Sequence, residues 1–112
     1  MGIRISKEWI ELNEASVRAL PGQLGVYQIA EPDGAIIYIG YAGGRTLFGL
    51  RSEIERWLKQ RGGRPTRFRY EVNMQYLSRF QELLMLHQAD HGKLPAENKR
   101  GEVRRLGRLS PL

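Results

Sequence analysis

The sequence predicts an α/β domain of the α+β type, in which a small three-stranded antiparallel sheet is flanked by helices. Two short apolar runs, at residues 25–30 and 35–40, enclose a Glu-Pro-Asp-Gly segment, which is typical of a β-hairpin. Residues 66–72 alternate between apolar and charged side chains, as a half-buried strand does. Residues 46–60 and 75–91 carry apolar side chains every three or four positions, which indicates amphipathic helices.

Length and composition favour one domain. We divide the 112 residues into an N-terminal helical segment at 1–21, a core at 22–98 and a basic C-terminal tail at 99–112. The absence of cysteine excludes disulfides and thiolate metal sites, and it fits a reducing cytoplasm. No apolar stretch approaches the ~20 residues of a transmembrane helix, so we expect a cytoplasmic protein without a membrane partner.

The hairpin loop determines which residues face each other. Pro32 cannot adopt the positive φ that a tight two-residue turn requires, whereas a four-residue loop at 31–34 accommodates it. Counting back from this loop pairs Tyr27 with Tyr38. Directly opposed residues share one face of a sheet, so two phenol side chains are predicted to lie side by side.

The helices are predicted from their ends and their apolar stripes. Asn13 is a good N-cap for a short helix that ends before Pro21. Thr46 is a candidate cap for the helix at 46–60, whose predicted buried stripe is Leu47, Leu50, Ile54, Trp57 and Leu58. Arg51 lies at the border of this stripe, near the sheet, while Arg56 is expected to point elsewhere. The last helix ends at Gly92.

The charge balance favours a polyanionic partner. The chain has 18 Lys and Arg against 12 Asp and Glu, a net charge of +6, and residues 99–112 are strongly basic. Many soluble proteins are also basic without binding nucleic acid, so charge by itself leaves both possibilities open.

The order of several residues resembles the GIY-YIG endonuclease superfamily. The chain has Gly25-Val26-Tyr27, a hairpin and Tyr38-Ile39-Gly40, followed by a helix with arginine and a later helix with Glu82, then Pro95 and Asn98. Each tripeptide alone is a weak signal, whereas both at hairpin spacing are fairly specific, and the resemblance spans about residues 24–98. It implies a GIY-YIG-type fold that hydrolyses phosphodiester bonds in DNA with one divalent metal ion, Mg²⁺ or Mn²⁺.

Carried over residue by residue, the resemblance implies five catalytic residues. Tyr27 would help to deprotonate the attacking water, and Tyr38 would orient that water or the phosphate. Glu82 would bind the metal ion, and Arg51 would hold phosphate oxygens. Asn98 would hold the backbone of the site through hydrogen bonds.

A second group of residues is predicted to contact DNA. It consists of Tyr41, Arg45, Arg61, Arg64, Lys99 and Arg100. Tyr41 stands where many family members carry a lysine, which departs from the pattern. Arg45 is the rival of Arg51 as site arginine, since it is closer in sequence to the second tyrosine, although it lies on a loop.

Each assignment has a structural alternative. A cross-strand tyrosine pair stabilises a sheet by about 0.2–1 kcal/mol whatever its function. Glu82 can form an i,i+3 ion pair with Arg79, and Asn98 can be a turn residue. The functional alternatives are a catalytically inactive nucleic-acid-binding module of the same fold and an interaction domain. We expect any specificity to come from DNA shape, such as branched or damaged DNA, or from a partner protein.

Overall fold

The computed structural model describes residues 4–44 and 46–98. The described residues form seven elements: β1 (Ile10–Glu11), α1 (Glu14–Arg18), β2 (Gly25–Ala30), β3 (Ile36–Ala42), α2 (Leu50–Arg61), β4 (Arg67–Val72) and α3 (Tyr76–His91). The strands form one antiparallel sheet in the order β1-β4-β2-β3. This confirms the α+β class, but the predicted count of three strands was wrong, because the sheet has four. None of the described helices is long and apolar enough to cross a membrane.

The additional strand is the short β1 at the edge of the sheet. Ile10 pairs with Phe68 of β4, and the Leu12 N–H donates a 2.9 Å hydrogen bond to the Thr66 carbonyl. Two residues are too few to show the alternation that marks a strand, so the sequence pattern did not reveal it. The predicted cap at Asn13 does form, since its side chain accepts a hydrogen bond from the helix that follows.

The hairpin register differs from the prediction by two residues. The pairing is irregular between Ile29 and Ala30, so that Ile29 lies opposite Tyr38 and Tyr27 lies opposite Gly40. A shift of two residues leaves every side chain on its original face of the sheet. The two tyrosines therefore share a face as predicted, but they are diagonal neighbours and not directly opposed.

The helix α2 begins four residues later than predicted. The residues before Leu50 form a turn, and Gly49 at its end has a φ of 55°. A Cβ atom on Gly49 would lie 2.3 Å from the Gln23 carbonyl oxygen, so this position requires glycine. Leu47, which we predicted to be in the buried stripe, lies in this turn and is exposed. Thr46 therefore does not cap the helix.

The two faces of the sheet pack against different helices. One face holds α1 and α2 over a core of Val17, Leu20, Tyr27, Ile29, Leu50, Ile54, Trp57 and Phe68. The other face holds α3 over a core of Ile5, Val26, Ile39, Phe80, Leu83 and Leu84. Successive strand residues point to opposite faces, which is why Val26 and Tyr27 belong to different cores. The sheet thus separates α3 from the two hairpin tyrosines.

Candidate functional site

The two hairpin tyrosines meet above Gly40. Their ring centroids are 6.0 Å apart. A Cβ atom on Gly40 would lie 2.5 Å from the Tyr27 hydroxyl oxygen and 2.5 Å from Cε2 of Tyr38, so only a glycine leaves room for both rings. The Tyr38 ring also packs against Trp57 of α2, with centroids 4.9 Å apart. These contacts attach the hairpin to α2.

The helix α2 supplies a carboxylate and a guanidinium to the tyrosine pair. The Tyr27 hydroxyl donates a 3.0 Å hydrogen bond to Oε1 of Glu53, and Arg56 donates to the same oxygen at 2.6 Å. Residues three apart on a helix are neighbours on its surface, so Glu53 and Arg56 reach the same side. The expectation that Arg56 points elsewhere was wrong. Tyr27, Tyr38, Glu53 and Arg56 form what we call the tyrosine cluster.

The tyrosine cluster combines a neutral phenol with a permanent cation. Burial raises the pKa of Tyr27 well above its usual value of 10.0, and the nearby Glu53 charge and then Tyr38 raise it further. A general base near neutral pH needs a lower pKa, so this shift runs against the role that the resemblance implied for Tyr27. Burial alone would lower the pKa of Arg56, but Glu53 and the two tyrosines raise it by more.

The cluster opens into a pocket of about 360 Å³ beside the edge strand β3. The pocket is lined by Tyr38, Tyr41, Gly43, Gly44, Thr46, Glu53, Arg56, Tyr76 and Leu77. Residues from both faces of the sheet meet here because β3 is the edge strand of the sheet formed by the described residues. Tyr41 stacks on Tyr76 with centroids 5.6 Å apart, and the Tyr76 hydroxyl accepts a 3.3 Å hydrogen bond from the Gly44 N–H. The pocket therefore places an exposed guanidinium among aromatic rings.

Arg51, which we predicted to be the site arginine, connects α2 to the segment that follows α1. Its Nε and Nη2 donate hydrogen bonds of 3.0 and 2.8 Å to the Leu20 carbonyl just after α1. Arg51 and Glu53 flank the buried stripe of α2 on opposite sides, and the sequence does not say which side faces the hairpin. Arg56 was missed for that reason, although its i,i+3 spacing from Glu53 was a usable signal.

Glu82 lies on the other face of the sheet. Its carboxylate accepts a short hydrogen bond from Arg79, and Arg79 also donates to both carboxylate oxygens of Glu71 at 2.9 and 3.1 Å. The sheet stands between this network and the pair of Tyr27 and Tyr38. The structure thus does not bring the predicted metal ligand together with the predicted catalytic tyrosines, and it contains the alternative i,i+3 ion pair.

Asn98 is bound to the outer edge of β3. Its side-chain N–H donates to the Ile39 carbonyl and its Oδ1 accepts from the Ile39 N–H, both at 2.8 Å. The Glu97 N–H donates to the Ile37 carbonyl, also at 2.8 Å. These bonds are of the backbone-holding kind that the resemblance implied for Asn98, and they fix the strand that carries Tyr38.

The predicted DNA-contacting residues are dispersed. Tyr41 lines the pocket, whereas two arginines lie at the hairpin loop, at the other end of β2. There, Arg61 donates to Thr66 at 2.8 Å and to Glu31 at 2.6 Å, and Arg64 pairs with Glu31 at 3.7 Å. The remaining predicted contacts lie outside the described residues: Arg45, Lys99 and Arg100.

The excess of positive charge is concentrated outside the described part of the chain. The described residues contain 12 Lys and Arg against 11 Asp and Glu, whereas residues 99–112 contain five against one. Arg45 is the remaining cation. Anion binding by the described residues would therefore depend on where individual cations lie and not on net charge.

The described residues offer limited support for a metal site. No group of three or more His, Cys, Asp or Glu side chains within 4–44 and 46–98 is arranged to hold an ion. Glu82 accepts from Arg79 through Oε1 and lies away from the pocket. Glu53 accepts from Tyr27 and Arg56 through Oε1, but it lines the pocket. Since Mg²⁺ often takes one or two protein carboxylates together with water and substrate, Glu53 fits such an ion better than Glu82 does.

Fold and site together define a small α+β domain with a cluster of tyrosine, glutamate and arginine beside the edge strand β3. Residues 3–90 match the family described as "Domain of unknown function (DUF7508)", and the chain belongs to this family. No curated protein matches the chain, and no solved structure matches it. The tyrosine cluster lies within the matched residues, whereas Asn98 lies beyond them.

Proposed function

We propose that this protein binds DNA through a phosphodiester site of GIY-YIG type at the tyrosine cluster. The observation that carries the proposal is the convergence of both hairpin tyrosines with Arg56 beside an open pocket. A phosphodiester is a monoanion, and a guanidinium binds its oxygens strongly and in a defined geometry. The Arg56 side chain is 62% exposed, so it can reach a phosphate without a change in the fold.

The four residues have different parts in this proposal. Arg56 and the Tyr38 hydroxyl bind the phosphate oxygens from the wall of the pocket. Tyr27 is fully buried and does not contact the ligand, but its hydrogen bond holds Glu53 in place. Glu53 orients Arg56 and also neutralises part of its charge, so that the carboxylate competes with a bound phosphate. Binding by this site does not require catalysis.

Metal-dependent DNA hydrolysis is the second candidate, and the position of Glu53 favours it. This carboxylate lies beside the proposed phosphate ligands, where it could hold Mg²⁺ or Mn²⁺ together with the substrate. When bound, such an ion supplies Lewis-acid stabilisation of the charge on the phosphate. In this candidate, Glu53 has the role of metal ligand that the resemblance assigned to Glu82. Tyr27 stays neutral and holds Glu53 in place, and it does not act as the base.

Fluorescence anisotropy with short labelled DNA tests the binding proposal. Arg56→Gln removes a charged donor and is expected to weaken binding about tenfold. Glu53→Gln frees Arg56 from its counter-ion and is expected to tighten binding. The matched control is Arg64→Gln, because Arg64 is similarly exposed but lies at the other end of the sheet. Equal losses in Arg56→Gln and Arg64→Gln, or no binding by the wild type at low salt, would contradict the proposal.

Nicking of supercoiled DNA tests the hydrolysis candidate. The wild type is incubated with Mg²⁺ or Mn²⁺, and then with a chelator added. If Glu53 holds the ion, Glu53→Gln abolishes nicking while Glu82→Gln retains it. The reverse pattern would assign the ion to Glu82 and overturn the role given to Glu53. A wild type that binds DNA but nicks none of the supercoiled, branched or single-stranded substrates would leave a catalytically inactive binding module.

A further inference from the structure

Large apolar side chains are exposed in two turns that are next in the chain to pocket-lining residues. Leu47 is 83% exposed and Phe48 53% exposed, both in the turn that precedes α2, and Met74 is 75% exposed in the turn between β4 and α3. Leu77, at the start of α3, is also exposed and lines the pocket itself. A concentration of exposed apolar side chains next to a polar pocket marks an interaction surface.

Backbone hydrogen bonds bring these two turns to the same end of the sheet. The Leu50 N–H donates to the Gln23 carbonyl at 2.9 Å, and the Asn73 N–H donates to the Leu24 carbonyl at 3.0 Å. Because Gln23 and Leu24 are consecutive, one short segment fixes both turns. The two turns that carry Leu47, Phe48 and Met74 therefore lie at the same end of the sheet.

The turn that carries Leu47 and Phe48 adjoins the proposed phosphate site. Thr46, which directly precedes Leu47, lines the same pocket as Arg56 and Leu77. The guanidinium of Arg56 thus shares the pocket with the apolar side chain of Leu77, and the exposed Leu47 and Phe48 follow directly after Thr46. A ligand that fits both must carry an anionic group and an apolar group close together.

Hydrogen bonds hold the backbone of the turn that carries Leu47 and Phe48. The Phe48 N–H donates to Oγ of Ser52 at 3.1 Å, and the Phe48 carbonyl accepts from the Arg51 N–H at 3.2 Å. Gly49 has a positive φ and packs directly against the Gln23 carbonyl. A fixed backbone that presents exposed apolar side chains is preorganised for contact, which lowers the entropic cost of binding.

Intact duplex DNA is a poor partner for exposed side chains such as Leu47 and Phe48, because its base faces are stacked inside the double helix. Single strands, branches and mismatches expose base faces, on which apolar side chains stack or between which they insert. We propose that Leu47 and Phe48 form a wedge that contacts unstacked bases next to the phosphate bound by Arg56. The protein then prefers DNA with unpaired positions to intact duplex. This inference rests on the proposed DNA-binding function.

Competition binding tests the wedge with three DNAs of equal length: an intact duplex, a duplex with a central mismatched bubble, and a single strand. We expect the wild type to bind the bubble and the single strand about tenfold more tightly than the duplex. The double variant Leu47→Ser/Phe48→Ser should lose this preference and keep its duplex binding. Both side chains are exposed, so the variant should fold, and a thermal melt checks this.

The matched control is Met85→Ser, because Met85 is 57% exposed but lies on α3, on the other face of the sheet from the tyrosine cluster. It should leave the preference unchanged. A 2-aminopurine base in the bubble reports stacking directly. Its fluorescence should change when the wild type or Met85→Ser binds, and should not change with the double variant.

The outcomes separate the wedge from the proposal on which it rests. No binding of the wild type to any DNA would refute the DNA-binding function itself. Equal binding to all three DNAs, or an unchanged preference in the double variant, would refute the wedge and leave that function standing. Sedimentation tests a second copy of the chain as the occupant. A wild-type dimer that the double variant converts to monomer, with the DNA preference intact, would overturn the wedge.

Discussion

The Tyr27 hydroxyl donates a 3.0 Å hydrogen bond to the Glu53 carboxylate from a position with no solvent exposure. This bond connects β2, an inner strand of the sheet, to α2. It also fixes the carboxylate that holds Arg56 at 2.6 Å. A buried neutral phenol thereby determines where the exposed cation of the pocket lies.

The raised pKa of Tyr27 should make the protein less stable at alkaline pH. The unfolded chain releases this proton near pH 10, whereas the folded protein keeps it to higher pH, so above that point the unfolded state binds fewer protons. The free energy of unfolding therefore falls as pH rises through this window. Above pH ~10, the wild type should lose about 1.4 kcal/mol per pH unit more than Tyr27→Phe. Urea unfolding below and above pH ~10 measures how the free energy of unfolding changes with pH in both proteins. Equal slopes in the wild type and Tyr27→Phe would contradict the raised pKa of Tyr27.

Gly40 is predicted to be intolerant of even one methyl group. Gly40→Ala places Cβ 2.5 Å from atoms of both Tyr27 and Tyr38, so the rings must move and the free energy of unfolding should fall by about 1–3 kcal/mol. The control is Gly44→Ala, because a Cβ atom there would have no atom within 4 Å from any described residue other than its chain neighbours. Denaturant titration compares the two variants. A Gly40→Ala protein as stable as Gly44→Ala would show that the rings do not pack as described.

The two arginines of α2 should separate stability from binding. Arg51→Met loses two hydrogen bonds from a charged donor to the Leu20 carbonyl, so it should destabilise the fold by about 1.5–3 kcal/mol. Arg56→Met breaks an ion pair whose guanidinium is exposed, so it should cost at most about 1 kcal/mol. DNA binding should show the opposite order, with the larger loss in Arg56→Met. Thermal melts and fluorescence anisotropy on the same samples measure stability and DNA binding. A larger loss of binding in Arg51→Met than in Arg56→Met would restore Arg51 as the site arginine.

Asn98 is predicted to protect the outer edge of β3. Asn98→Ala removes both hydrogen bonds to Ile39, and hydrogen exchange of the Ile39 amide should accelerate markedly. The control is Glu97→Ala, since the Glu97 contact to Ile37 uses the backbone N–H and survives the substitution. Amide exchange followed by NMR measures both variants. Unchanged protection of Ile39 in Asn98→Ala would mean that the carboxamide does not hold this edge.

Part of the site could be predicted from the hairpin sequence. Alternating side chains placed Tyr27 and Tyr38 on one face, and this survived a register error because a shift of two residues preserves the face. The charged neighbours were harder to predict. An apolar stripe identifies the buried side of a helix, but it does not say which flank turns toward a given strand, so Arg51 was preferred to Arg56.

The α+β class, most of the helices and strands, and the shared face of the two tyrosines follow from local periodicity and turn chemistry, so they could be predicted from the residues alone. The folded chain was needed to see that α2 brings Glu53 and Arg56 to the tyrosines while α3 carries Glu82 on the other side of the sheet. Periodicity specifies which side of an element is buried, whereas the path of the chain across the sheet specifies against which face it is buried.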